Sequence, residues 1–230
     1  MKFPRGAISR RAAFGLAALA LASALAYWGV GVYRKSHLER TVAALARDSS
    51  ERLGAALALE MEAATGTSAQ TVGKLDEQAQ EVDKHVLDLR DLSASPNRAL
   101  VAAAEDYLLT VRQILRQQAA SHRYRVQLKA SEEKLREHMR TSGRRSGAWI
   151  DEAVRAKDRM EKNYFDYRIS AEAFERLLGS YPAARKKLSA QIGAALVTDE
   201  VVGEARKRAL AGSKRIAADV EQARQLAAVR

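Results

Sequence analysis

Cysteine is absent from the 230-residue chain. Disulfides, thiolate metal sites, cysteine nucleophiles and c-type haem attachment are therefore excluded. An oxidising compartment remains compatible with the composition. Proline occurs only at Pro4, Pro96 and Pro182, so long helices meet few breakers. No segment alternates β-branched and polar residues with a period of two, so no sheet is expected. The four histidines, His37, His85, His122 and His138, form no Glu-x-x-His, His-x-His or HExxH spacing, the usual helical metal patterns. Glu133 and Glu137 share one helical face, but Lys134 and Arg136 beside them make it a solvated charged surface. Also missing are the G-x-S-x-G nucleophile motif, a Walker loop and a dinucleotide fingerprint. No metal, cofactor or enzymatic activity is expected.

Charge is plentiful and unevenly placed. The net charge is +11. Residues 1–40 hold seven Lys/Arg (Lys2, Arg5, Arg10, Arg11, Arg34, Lys35 and Arg40) against Glu39 alone. From Pro182 onward there are ten Lys/Arg and five Asp/Glu, and residues 41–181 balance at 22 of each. A pI near 10 is a common mark of nucleic-acid binding. Here it resolves into the flanks of one apolar segment and a basic terminal stretch, so anionic lipid is the expected partner and nucleic acid is not.

That apolar segment is Ala12–Val32, 21 residues without a charge. As a helix it measures about 31 Å, close to the hydrocarbon thickness of a bilayer. Tyr27, Trp28 and Tyr33 gather at one end, where amphipathic rings favour the headgroup region. The expected organisation is a cytoplasmic basic tail over 1–11, a transmembrane anchor over 12–33 and an extracytoplasmic bundle over 34–230. Four basic residues before the segment and three after it orient the N-terminus inside. A cleaved signal peptide is the alternative, with Ala24-Leu25-Ala26 as its cleavage pattern. Ser9-Arg10-Arg11 with Ala13 and Phe14 also resembles a twin-arginine export signal. Against cleavage, the apolar run continues through Tyr27-Trp28-Gly29-Val30-Gly31-Val32. The Ala/Arg-rich composition fits a bacterium with a GC-rich genome. The expected location is thus the inner membrane, with the bulk of the chain periplasmic.

Local signals divide the remainder into segments near 34–93, 96–140, 148–178 and 182–228. Ser95-Pro96 reads as N-cap and first helical position. Residues 141–147 have loop composition. Leu178-Gly179 reads as a helix end, with Pro182 opening the next helix. Apolar spacings of three and four recur: Leu75, Ala79, Val82, Val86, Leu89; then Val101, Ala104, Leu108, Val111, Leu115. The third segment continues with Ala153, Met160, Tyr164, Tyr167, Ala171, Phe174 and Leu178. The fourth has Leu188, Ile192, Ala195, Val202, Ala209, Ile216 and Val220. Such stripes are bundle seams. The expected fold is all-α: a transmembrane helix, then an elongated, coiled-coil-like antiparallel four-helix bundle. Two places admit an extra break, Thr65 to Gly73 and Thr198-Asp199-Glu200.

The seam of the second segment turns polar at Gln118, His122 and Arg125. In a hairpin about the 141–147 loop, positions summing to roughly 288 face each other. His122 then lies near Asp166 or Tyr167, and Arg125 near Asn163 or Tyr164. His122, Arg125, Tyr164, Tyr167 and Arg168 thus form a candidate site for a carboxylate or other small anion. The alternative is a polar layer that fixes register, with Arg125 paired to a neighbouring acid. Arg185, Lys186, Lys187, Arg206, Lys207 and Arg208 are candidate contacts to lipid headgroups or an acidic protein. The expected role is a membrane-anchored, non-catalytic interaction or scaffold module that binds a partner protein or itself. The alternative is a small-anion sensor. In layout, an anchor plus an extracytoplasmic bundle resembles the sensory half of chemotaxis-type receptors, a likeness that no specific motif carries.

Overall fold

In the computed structural model, residues 10–62, 69–92, 97–140, 146–193 and 195–228 are described. The side chains of 10–22, 24–30, 61, 62, 226 and 228 fall outside that description. Five helices follow in order: α1 (Arg10–Glu62), α2 (Ala69–Asp91), α3 (Arg98–Arg140), α4 (Gly147–Ile192) and α5 (Asp199–Ala228). No strand occurs among the described residues. The all-helical bundle is as the periodicity requires, but it has five helices where four segments were expected.

Caps fix the boundaries. Asn97 opens α3, its Oδ1 accepting from the Leu100 N–H at 3.2 Å. The expected cap and first position, Ser95 and Pro96, lie outside the described residues. Ser146 caps α4 by accepting from Trp149 N at 3.3 Å. Gly193 closes α4 in the left-handed region at φ 58, its N–H returning to Ser189 O. Thr198 starts α5, its hydroxyl accepting from Val201 N at 3.5 Å. The optional break at Thr198 is therefore a helix boundary; of the other, residues 65–68 lie outside the described residues and 69–73 belong to α2.

Pro182 does not open a helix; it lies inside α4. Proline within a helix removes one hydrogen bond and costs about 3 kcal/mol. The stripe Phe174, Leu178, Tyr181, Ala184, Leu188 is buried on both sides of it, and each large apolar side chain of such a stripe contributes roughly 1.5–3 kcal/mol. Tertiary burial outweighs the local breaker.

Cross-helix pairs set the topology. Arg52 reaches Gln78 and Ser49 reaches His85, so α1 and α2 are antiparallel. Asp83 pairs with Arg112 and Asp76 with Arg123, so α3 reverses again. Tyr107 meets Tyr181 and His138 stacks on Trp149, matching the expected register for α3 against α4. Glu175 pairs with Arg206 and Tyr167 with Ser213, so α5 runs opposite to α4. Hence α1, α3 and α5 point one way and α2 and α4 the other.

The core has two parts. The larger joins α1, α2, α3, α4 and the start of α5 through Leu53, Leu57, Leu75, Val82, Tyr107, Ile114, Phe174 and Tyr181. The smaller holds α3, α4 and α5 together through Leu128, Leu135, Met160, Tyr167, Ile216 and Val220. Leu38 is the first buried residue of α1 among those described, and Gly31 to Lys35 are all exposed. The helix thus enters the bundle near Leu38. No helix is long and apolar enough to cross a membrane among the described residues. Most of the expected anchor, 12–33, lies outside those with described side chains.

Candidate functional site

The polar layer of α3 sits where the two parts of the core meet. Gln118 and His122 are one turn apart on the α3 seam and buried. Gln118 Nε2 donates to the Ala56 carbonyl of α1 at 2.8 Å. His122 Nε2 lies 2.7 Å from Glu60 Oε2, also on α1. The α1 stripe Leu53, Ala56, Leu57 is apolar and buried up to that point. Glu60 extends it by one turn and meets His122 because α1 and α3 run in the same sense.

Burial by itself raises the Glu60 carboxyl. The His122 hydrogen bond, the charges of His122 and Arg125, and a bond from Gln118 outweigh that, and the group is held below its usual 4.5. Burial raises the Tyr167 phenol most, and Arg125, Glu60 and Tyr164 also act on it electrostatically. Glu60 thus bonds His122 and feels the charge of Arg125, and Tyr164 acts on Tyr167. Tyr167 shares a 3.2 Å hydrogen bond with Ser213 of α5. Arg168 stands apart on the exposed side of α4, paired with Glu172 and 5.8 Å over the Phe165 ring. His122 Nδ1 and Gln118 Oε1 are buried without a hydrogen-bond partner among the described residues.

A second polar cluster clamps α1 to α2. Ser49 Oγ is 2.8 Å from His85 Nδ1, and His85 Nε2 is 3.0 Å from Asp48 Oδ2. Hydroxyl, imidazole and carboxylate stand in the order of a serine-hydrolase relay. Ser49, however, is 0% exposed in mid-helix, where backbone N–H groups are consumed by the helix and none remains for an oxyanion. Arg52 also binds Asp48 at 2.9 Å, so the cluster is an interhelical clamp. Ser131 and Lys134 have the S-x-x-K spacing. Ser131 is buried, donates to its own helix at Leu128 O and accepts from Asn163, so it too is structural.

A third cluster pins the α4–α5 connection. Tyr181 Oη donates to Val197 O at 3.0 Å, and Val197 N donates to Ser50 Oγ at 2.6 Å. Tyr107 Oη lies 3.4 Å from Tyr181 Oη. Burial raises both phenols, so they act as neutral hydrogen-bonding groups.

Most of the candidate basic contacts have acidic partners within the chain. Arg185 pairs with Asp199 and Lys187 with Asp106. Arg206 pairs with Glu175, while Lys207 and Arg208 both reach Glu204. Lys186 is exposed.

Two surface features were not read from the sequence. Ile150, Val154, Phe165 and Ile169 of α4 are each about half exposed. At 100° per residue they fall within roughly one 100° arc, opposite the core-facing Met160, Tyr167 and Phe174, with Asp158 and Glu161 on the same arc between the two pairs. The second is an open groove of about 650 Å³ between α3 and α4, lined by Arg112, Arg116, Gln113, Gln117, Arg176 and Ser180, with Ala173 and Leu177. The register rule would have placed Arg112 opposite Arg176, and extending the α1 stripe would have found Glu60. No family model, curated protein or solved structure matches the chain.

Proposed function

We propose that the chain is a membrane-tethered, non-catalytic helical interaction module, in which α1 carries the bundle from a membrane anchor and α4 presents the contact face. The observation that carries it is the outward stripe Ile150, Val154, Phe165 and Ile169. It consists of two exposed apolar pairs at i,i+4 spacing, Ile150 with Val154 and Phe165 with Ile169, and a partner that covers such pairs removes apolar area from water. The partner is another protein or a second copy of this chain. The uncharged run Ala12–Val32 with basic flanks supports the tether. The continuation of α1 from Arg10 into the bundle and its exit near Leu38 agree with it.

This reading places the exported bulk in the periplasm. Lys187, bonded to Asp106 near the start of α3, lies at the end where α1 leaves the bundle. Arg185, Lys186 and Lys187 then face the headgroups, and Arg206, Lys207 and Arg208 serve the side of the bundle.

The test is co-purification from crosslinked membranes with the native chain and with Phe165→Glu. The variant is expected to lose the partner while melting unchanged, since the side chain is exposed. Retention of the same partner by Phe165→Glu and by Val154→Glu would contradict the reading.

A second reading is small-anion sensing, and the arginine groove favours it. In the His122 layer the chain's own Glu60 already provides a carboxylate. The groove holds cations and lacks an acidic lining residue.

A further inference from the structure

We infer that the groove between α3 and α4 binds a small organic dianion, a dicarboxylate or a phosphorylated metabolite, through Arg112, Arg116 and Arg176. This rests on the sensing reading and names its ligand class.

Three guanidiniums line one groove. Asp83 of α2 bonds two of them, Arg112 Nη1 at 3.4 Å and Arg116 Nη2 at 2.5 Å. A single carboxylate thus braces two arginines and neutralises one charge, leaving two. Arg176 has no ion pair among the described residues. Its neighbours on α4 are engaged elsewhere, Glu172 with Arg168 and Glu175 with Arg206. In the register that sets Tyr107 against Tyr181, Arg112 and Arg176 stand at the same level and line the same groove. Like charges lining one groove repel, and an oxyanion bound among them reverses the sign of that interaction.

The rest of the lining suits the same ligand. Gln113 and Gln117 supply neutral donors for oxygens that the arginines leave free. Ala173 opens the space and Leu177 gives an apolar floor for a short carbon skeleton. Guanidinium forks bind carboxylate and phosphate oxygens in pairs. A volume of about 650 Å³ exceeds a lone inorganic ion and falls within the range of small-molecule pockets.

The full-length chain in mild detergent is titrated by calorimetry with succinate, inorganic phosphate and acetate. Succinate or phosphate is expected to bind at least tenfold more tightly than acetate, and to bind less tightly as sodium chloride rises from 50 to 500 mM. Arg176→Gln and Arg112→Gln are expected to weaken it at least tenfold with an unchanged circular dichroism spectrum. Lys187→Gln, which removes a cation elsewhere, is expected to leave it unaltered. Stronger binding of succinate than of phosphate identifies the dicarboxylate, and the reverse identifies the phosphoryl group. Absence of binding at 10 mM, equal binding of acetate, or equal losses in Lys187→Gln and Arg176→Gln would overturn the inference. Binding that survives Arg176→Gln and disappears in Arg125→Gln would overturn the groove while leaving the sensing reading standing, with its site in the His122 layer.

Discussion

His122 illustrates how one residue ties stability to the fold. Its ring is buried and its Nε2 faces Glu60 at 2.7 Å. Removing one member of a buried pair leaves the other charge uncompensated, at a cost of about 3–5 kcal/mol. His122→Ala is expected to lose stability in that range by urea denaturation. The double variant Glu60→Leu/His122→Leu is expected to lose much less than the two single losses added, and additivity would deny the coupling. Acid titration supplies a second check. Because the folded carboxyl of Glu60 lies below 4.5, the unfolded chain takes up its proton first as pH falls. The stability due to this group is complete above that pH and disappears as pH drops through the folded value. Glu60→Gln is expected to flatten the acid limb of a stability profile. An unchanged limb would exclude Glu60 as its source.

Among the elements, the turn between α4 and α5 depends on buried groups from distant segments. Ser50 of α1 holds the Val197 N–H at 2.6 Å, and Tyr181 holds the carbonyl of the same residue. Ser50→Ala leaves that N–H without its acceptor and is expected to cost about 1–2 kcal/mol, read from denaturation midpoints. A change below a few tenths would show that water replaces the hydroxyl. Pro182→Ala probes the opposite balance. Restoring the N–H in mid-helix is expected to stabilise α4 by up to about 3 kcal/mol. A loss would mean that the ring's packing matters more than the hydrogen bond.

These elements also show which parts of the structure were legible in the sequence. The α2 seam, Leu75 through Leu89, is buried at every position named from its spacing, because a strict alternation of three and four leaves only one face to bury. The register of α3 on α4 followed from a short loop between two long helices. By contrast, Val101 is only partly buried and Ala195 is exposed; neither local pattern reveals a neighbouring helix. Pro182 misled because propensity is local and burial is not. Glu60 and the groove's arginines were missed because they gain meaning only from partners some 60 residues away.

At the scale of the whole molecule, the fifth helix changes the orientation. A four-helix bundle returns its last helix toward the N-terminal end. With α1 and α2 separate, α5 runs in the same sense as α1 and away from that end. The basic residues Arg206, Lys207 and Arg208 therefore move to the side of the bundle, and the end of α4 takes the position beside the expected membrane. On the tethered reading, the chain is expected to resist carbonate extraction from membranes, and its intact mass to include residues 1–26. Release by carbonate, or loss of those residues, would assign Ala12–Val32 to a cleaved export signal.

If α4 carries the contact face, a photocrosslinking amino acid placed at residue 165 of the full-length chain in its native membranes captures the partner. Phe165 lies on the outward stripe of α4, 53% exposed, while Leu87, 59% exposed on α2, provides a control of equal accessibility. One discrete adduct is expected from position 165, absent when the probe is at position 87. Adducts of equal yield from both positions, or none from position 165, would contradict it.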